Sequence, residues 1–122
     1  MPKRILLVDD EPNILILLGT RLRTEGYEVI TAKDGQAGLD SAKKEKPDLI
    51  ILDLMLPKMD GYKVCGLLKK DSRYAKIPIV MFTARGQEED RKMAEEVGAD
   101  AYVTKPFVPQ MLLSKIQELI SH

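Results

Sequence analysis

Four short apolar runs in this chain are each followed by a side chain that can do chemistry. Asp9 and Asp10 follow ILLV at 5–8, Asp53 follows LIIL at 49–52, Thr83 follows IVMF at 79–82, and Lys105 stands two residues past AYV at 101–103. A lone aspartate in such a place is an ordinary turn or helix-capping residue. A lone lysine ahead of a proline is an ordinary solvated side chain. Polar groups delivered by four strand ends to one edge of a sheet are instead read as a site.

Three carboxylates held together repel, and a hard cation with oxygen ligands relieves the repulsion. Mg2+ fits because it takes carboxylate and water oxygens and keeps positions open for phosphate; Mn2+ could substitute. The expected ligands are Asp10 and Asp53 directly, Asp9 directly or through water, and the Met55 backbone carbonyl. An aspartate beside such a cation can attack phosphorus as a covalent nucleophile. Asp53 is the candidate, since it ends the most hydrophobic run and lies between the acid pair and the other two groups. Lys105 and the cation would neutralise charge on the moving phosphoryl oxygens, and Thr83 would donate its hydroxyl to them. Pro106 restricts the chain at Lys105, and a cis Lys105–Pro106 peptide is expected.

The elements that must position these groups follow from periodicity. The run at 5–8 suits a strand buried on both faces. Pro12 opens a helix with Ile14, Leu15, Leu18 and Leu22 at helical spacing, which stops near Gly26. Residues 27–31 form a second strand, 36–46 a helix stopped by Pro47, and 49–52 a third strand. Pro57 and the Asp60-Gly61 pair mark a structured turn, and a helix resumes from Tyr62 with Val64, Leu67 and Leu68 as its apolar side. Pro78 opens a fourth strand. The stretch GQEEDRKMAEEVGA is a charged, solvent-facing helix with Met93, Ala94 and Val97 as a thin apolar side, closed by Gly98. After a short strand at 101–103, Pro109 leads Met111, Leu112, Ile116, Leu119 and Ile120 into an amphipathic helix. Strands alternating with helices predict an α/β fold: a parallel sheet, covered on both faces and joined by right-handed crossovers.

Composition removes other classes. The 122 residues fit a single domain, 1–122, and 19 basic against 19 acidic residues leave no global field to gather nucleic acid or coat a membrane. Lys3-Arg4 and Lys43, Lys44 and Lys46 are too sparse for a duplex-binding stripe. Cys65 is the only cysteine, which excludes an internal disulfide and a CxxC pair and suits a reducing, cytoplasmic setting. No run is long enough for a signal sequence or a membrane span. His122, at a terminus, is the only histidine, so histidine-dependent hydrolases are excluded. The loop DDEPN lacks the glycines that cradle a dinucleotide phosphate.

LLVDDE at 6–11, DLMLPKMDG at 53–61, FTA at 82–84 and YVTKPF at 102–107, in this order, resemble the receiver domain of bacterial two-component response regulators. The resemblance covers essentially the whole chain. It implies a doubly wound sheet of flavodoxin-like order 2-1-3-4-5 with five helices, and phosphate taken from a sensor histidine kinase or histidine phosphotransfer protein. It supports Asp53 as phosphoacceptor, Asp9 and Asp10 as the acidic pair, Met55 as the carbonyl ligand, and Thr83 and Lys105 as phosphate contacts. It adds Tyr102 as a switch aromatic that fills the space left when Thr83 moves inward, remodelling the face of the fourth helix, fifth strand and fifth helix. Ala84 and Pro106 would line the pocket, with Ala84 leaving room for phosphate. Leu56 and Arg85 are candidate modulators of hydrolysis. Glu11, LMLP and GAD before YVTKPF are similar to receivers that precede winged-helix DNA-binding domains. Ala101, Met111 and Lys115 depart from that subgroup and put its salt-bridged dimer in question.

The first helix should expose some of Asn13, Ile16, Leu17 and Thr20 for kinase docking, with Leu17 read as core. The chain end at Ser121-His122 leaves no DNA-binding domain, so the chain is either a stand-alone receiver with a downstream protein target or the input part of a larger regulator. A monomer is expected before phosphorylation, with dimerisation open to the phosphorylated form. Turnover of a separate substrate is not expected; the chemistry is self-phosphorylation and self-dephosphorylation. The competing reading is a phosphate-independent protein-binding module of the same fold. A small-molecule phosphohydrolase would carry a DxD pair, whereas Leu54-Met55 follow Asp53 here.

Overall fold

The computed structural model describes residues 2–120, so the expectations for His122 and the chain end lie outside the described residues. The apolar runs become strands: β1 (Arg4–Val8), β2 (Glu28–Ala32), β3 (Leu49–Leu52), β4 (Ile79–Thr83) and β5 (Ala101–Thr104). Between and after them lie α1 (Pro12–Thr24), α2 (Gly35–Glu45), α3 (Gly61–Lys70), α4 (Glu88–Glu96) and α5 (Pro109–Ile120). The strands are parallel in the order β2-β1-β3-β4-β5, as expected.

Strand alternation divides the core in two. Leu6, Val8, Ile50, Leu52, Ile79 and Met81 pack with Leu39 and Ala42 of α2, Val64 and Leu68 of α3 and Ala94 of α4. Ile5, Leu7, Leu49, Ile51, Val80 and Phe82 pack with Leu18 and Leu22 of α1 and Leu112 and Ile116 of α5. Full burial of each large apolar side chain contributes roughly 1.5–3 kcal/mol, so the central strands are the most firmly held part of the molecule. Register then fixes the site: Val8 pairs with Leu52, so the residues that follow, Asp9 and Asp53, emerge side by side. The Asp9 amide donates to Ala32 O (3.1 Å) and the Asp53 amide to Val8 O (3.1 Å), continuing the ladder into both aspartates.

Several helical faces differ from the sequence reading. Leu17 is 64% and Ile16 63% exposed, so Leu17 is not core. The inward stripe of α1 is Leu18 and Leu22, and a neighbouring residue is rotated by about 100° from it. The same rotation turns Leu67 away from its neighbour Leu68, Met93 from Ala94, and Met111 (70% exposed) from Leu112. The helix α4 is not wholly solvent-facing on its charged side either: Asp90, one turn before Ala94, is buried. Tyr74, in the turn after α3, joins the core although no periodic pattern marks it.

Candidate active site

The strand ends bring the expected groups to one cavity of about 300 Å³, lined by Asp10, Glu11, Asp53, Met55, Thr83, Ala84 and Lys105. Asp9 lies beneath it, 0% exposed. Carboxylate oxygens of Asp9, Asp10 and Asp53 lie within 4.8 Å of one another. The Lys105 Nζ closes the group, donating to Asp9 Oδ2 (2.8 Å), Glu11 Oε1 (3.1 Å) and Asp53 Oδ2 (3.2 Å). It also lies 5.3 Å from the centre of the Phe82 ring. Lys105 is thus not a solvated lysine; its stem is covered and its charge spent on three acids. The Lys105–Pro106 peptide is cis.

Burial works against the Lys105 charge, but hydrogen bonds to Asp9 and Glu11 and the charges of Asp53 and Asp9 hold its ammonium well above the usual lysine range. Burial pushes the Asp9 carboxyl above its ordinary value, the hydrogen bond from Lys105 pulls it down, and repulsion from Asp53 adds to the rise. By count alone, one ammonium faces the four carboxylates of Asp9, Asp10, Glu11 and Asp53 and does not compensate them. That residual imbalance, and a donor set made of carboxylate oxygens, fit a hard divalent cation.

The nucleophile candidate is held at both oxygens, Oδ1 accepting from the Met55 amide (3.3 Å) and Oδ2 from Lys105. Its position depends on Gly61, the first residue of α3. A Cβ there would stand 2.2 Å from the Asp53 carbonyl oxygen, so only glycine lets α3 start this close to the end of β3. Asp60 caps the same helix, its side chain accepting from the Lys63 amide (3.0 Å). The buried Thr83 hydroxyl accepts from the Arg85 amide (3.3 Å), and the Tyr102 hydroxyl donates to the Arg85 carbonyl.

Not every expected residue reaches the cavity. Leu56 and Arg85, expected to flank the pocket rather than fill it, line an adjoining groove of about 460 Å³ that shares Asp10 and Met55 with the cavity. Pro106, expected in the pocket, lines a different groove with Arg91, Tyr102 and Met111; Lys105 itself closes the site, and the chain turns away after it. Sequence reasoning missed the role of Glu11 as a partner of Lys105 and the buried carboxylate of Asp90. Asp90 accepts from the Tyr62 hydroxyl (2.9 Å) and pairs with the Arg85 guanidinium (3.0 Å). Nothing in an acidic helix singles out one acid for burial, because its partners come from other elements.

Among the described residues no helix is long and apolar enough to cross a membrane. Residues 5–117 match the family model described as the response regulator receiver domain. The chain is 47% identical over 120 residues to the alkaline phosphatase synthesis transcriptional regulatory protein PhoP of Bacillus subtilis (strain 168), covering 98% of this chain and 49% of that protein. It thus spans about half the length of that curated relative. Among solved structures, the chemotaxis protein CheY4 of Vibrio cholerae superposes with a TM-score of 0.91 at 34% identity, over 98% of this chain and 99% of that one. The receiver domain of the sensor histidine kinase PA1611 of Pseudomonas aeruginosa PAO1 superposes with a TM-score of 0.92 at 30% identity, over 100% of both chains; that structure has a magnesium ion coordinated in its active site cleft. Fold, strand order and matched sequence agree, and the chain belongs to the response regulator receiver domain family of two-component signalling.

Proposed function

We propose that this receiver accepts a phosphoryl group on Asp53 from a phosphohistidine on a sensor kinase or phosphotransfer protein. The observation that carries the reading is the convergence of Asp9, Asp10 and Asp53 with the Lys105 ammonium around a cavity that also presents Thr83. Asp9, Asp10, Asp53 and the Met55 carbonyl would hold Mg2+, with Mn2+ as a substitute; the magnesium in the related PA1611 receiver supports that choice. When bound, the cation supplies charge neutralisation for phosphoryl oxygens. The chain's own groups do the rest. Asp53 uses an oriented carboxylate oxygen as nucleophile, the donor histidine leaves, and Lys105 moves its hydrogen bond from Asp53 to a phosphoryl oxygen. Thr83 turns its hydroxyl to another, and Ala84 leaves the cavity mouth open to the donor ring.

Release of Thr83 from the Arg85 amide would free Tyr102 to repack, altering the surface of α4, β5 and α5. That surface would engage an output partner, either a separate protein or a DNA-binding domain of the kind implied by a transcriptional regulatory relative. The unphosphorylated chain would be monomeric and the phosphorylated one able to dimerise. Incubation with acetyl phosphate or phosphoramidate, followed by intact-protein mass measurement, tests the reading. A single phosphate adduct that needs Mg2+ and disappears in Asp53→Asn supports it. No adduct, under conditions where a control receiver labels, would favour a phosphate-independent binding module.

A further inference from the structure

Arg85 joins the two groups that the proposed switch would move, and Asp90 fixes Arg85. The Arg85 amide donates to Thr83 Oγ1 (3.3 Å), and its carbonyl accepts from the Tyr102 hydroxyl. Its guanidinium is held by Asp90, with Nη2 3.0 Å from Oδ1 and Nε 3.3 Å from Oδ2. Asp90 is only 5% exposed, and it also receives the Tyr62 hydroxyl from the start of α3 at 2.9 Å. Burial and the adjacent Asp90 carboxylate push that phenol up to about 12, so it remains a donor at any physiological pH.

A buried carboxylate that ties together α3, α4 and the loop after β4 is costly to isolate. Breaking one partner leaves a charge in a poorly solvated place. Arg85 meets Thr83 and Tyr102 through its backbone amide and carbonyl, and the clamp on its side chain holds those two groups where both bonds form. We infer that Asp90 is a positioning residue: through Arg85 it anchors Thr83 and Tyr102 in the arrangement seen here and so opposes the phosphoryl-bearing one. This inference rests on the phosphoacceptor reading. Its thermodynamic consequence is a reduced fraction of chains competent to bind a phosphoryl group, and hence a weaker apparent affinity.

The probe is beryllofluoride with Mg2+, a stable phosphoryl mimic at a carboxylate, titrated by calorimetry and followed by fluorine NMR. Asp90→Asn weakens the clamp while keeping its shape, and roughly three- to tenfold tighter binding is expected from weakening that contact by about the worth of one ordinary hydrogen bond. Tyr62→Phe, the milder variant should Asp90→Asn fold poorly, shifts affinity in the same direction by less. Arg85→Ala also tightens binding, and adding Asp90→Asn or Tyr62→Phe to it gives no further gain. A gain that persists in the Arg85→Ala background would show a merely structural effect and overturn the anchor. So would unchanged or weaker binding in the single variants. Failure of the wild-type chain itself to bind the mimic would instead count against the phosphoacceptor reading.

Discussion

Gly61→Ala isolates the geometry on which the nucleophile depends. A Cβ at this position would meet the Asp53 carbonyl oxygen at 2.2 Å, Leu54 Cα at 2.9 Å and the Asp53 carbonyl carbon at 3.0 Å. Ordinary heavy-atom contacts lie near ~3.5 Å, so the backbone must give by about 1 Å. All three obstacles are main chain, and none can escape by changing rotamer. Reduced freedom of the unfolded chain favours alanine by about 0.4–1 kcal/mol, whereas overpacking costs about 1–3 kcal/mol. The clash therefore wins, with a net loss of about 1–2 kcal/mol and a fall in the urea midpoint of about 1 M. Because the displaced atoms belong to Asp53, the labelling rate with acetyl phosphate should fall by roughly 100-fold. Gly66→Ala, inside α3, is the control: its Cβ would meet Val97 at the end of α4 at an ordinary 3.9 Å, and it should stabilise the chain by about 0.5–1 kcal/mol. A Gly61→Ala chain with a midpoint at or above wild type and a labelling rate within about twofold of it would refute the reasoning.

Further expectations concern charge, burial and exposure. Mg2+ at ten times its dissociation constant should stabilise the wild type by about 1.4 kcal/mol. Asp10→Asn should abolish that gain in thermal melts, without destabilising the metal-free chain, because Asp10 is exposed and relieves no buried charge. Burial pushes the Cys65 thiol from 9.0 up to about 11, so the folded state keeps the proton longer than the unfolded one. Stability present below pH 9.0 should then decline up to about pH 11, by at most about 3 kcal/mol from this group, and Cys65→Ala should flatten that limb in urea titrations. Ile16→Ala and Leu17→Ala should each change stability by less than about 0.5 kcal/mol, as exposed positions do. If α1 is the docking surface, both should slow phosphotransfer from the cognate kinase; unchanged rates would assign docking elsewhere.

The fold was legible where burial on both faces left little choice of residue. ILLV, LIIL and IVMF are short, bounded by turn signals and rich in β-branched residues, which suits central strands, and once they are placed, Asp9, Asp53 and Thr83 follow at their ends. Lys105 was legible only in company, since its three acidic partners, Asp9, Glu11 and Asp53, all lie at least 52 residues away in sequence. Helical faces were less legible. Leu17 and Met111 are as apolar as their buried neighbours, and rotation about the helix axis, set by packing, sends them outward. Asp90 was read with the exposed acids of α4 because its burial is imposed by Tyr62 and Arg85 on other elements. Lys69 shows the same limit: its ammonium bonds Ala75 O (3.1 Å), Ile77 O (2.8 Å) and Asp100 (2.8 Å), a staple across α3 and the flanks of β4 that no local pattern announces.

The most direct test of Asp53 chemistry is reductive trapping. Borohydride converts an aspartyl phosphate to homoserine, so the chain is incubated with acetyl phosphate and Mg2+, reduced, digested and mapped by peptide mass spectrometry. Homoserine at position 53, absent when Mg2+ is chelated, is the predicted result. Homoserine at Asp9 or Asp10, or none anywhere while a control receiver is trapped, would contradict the assignment of Asp53 as phosphoacceptor.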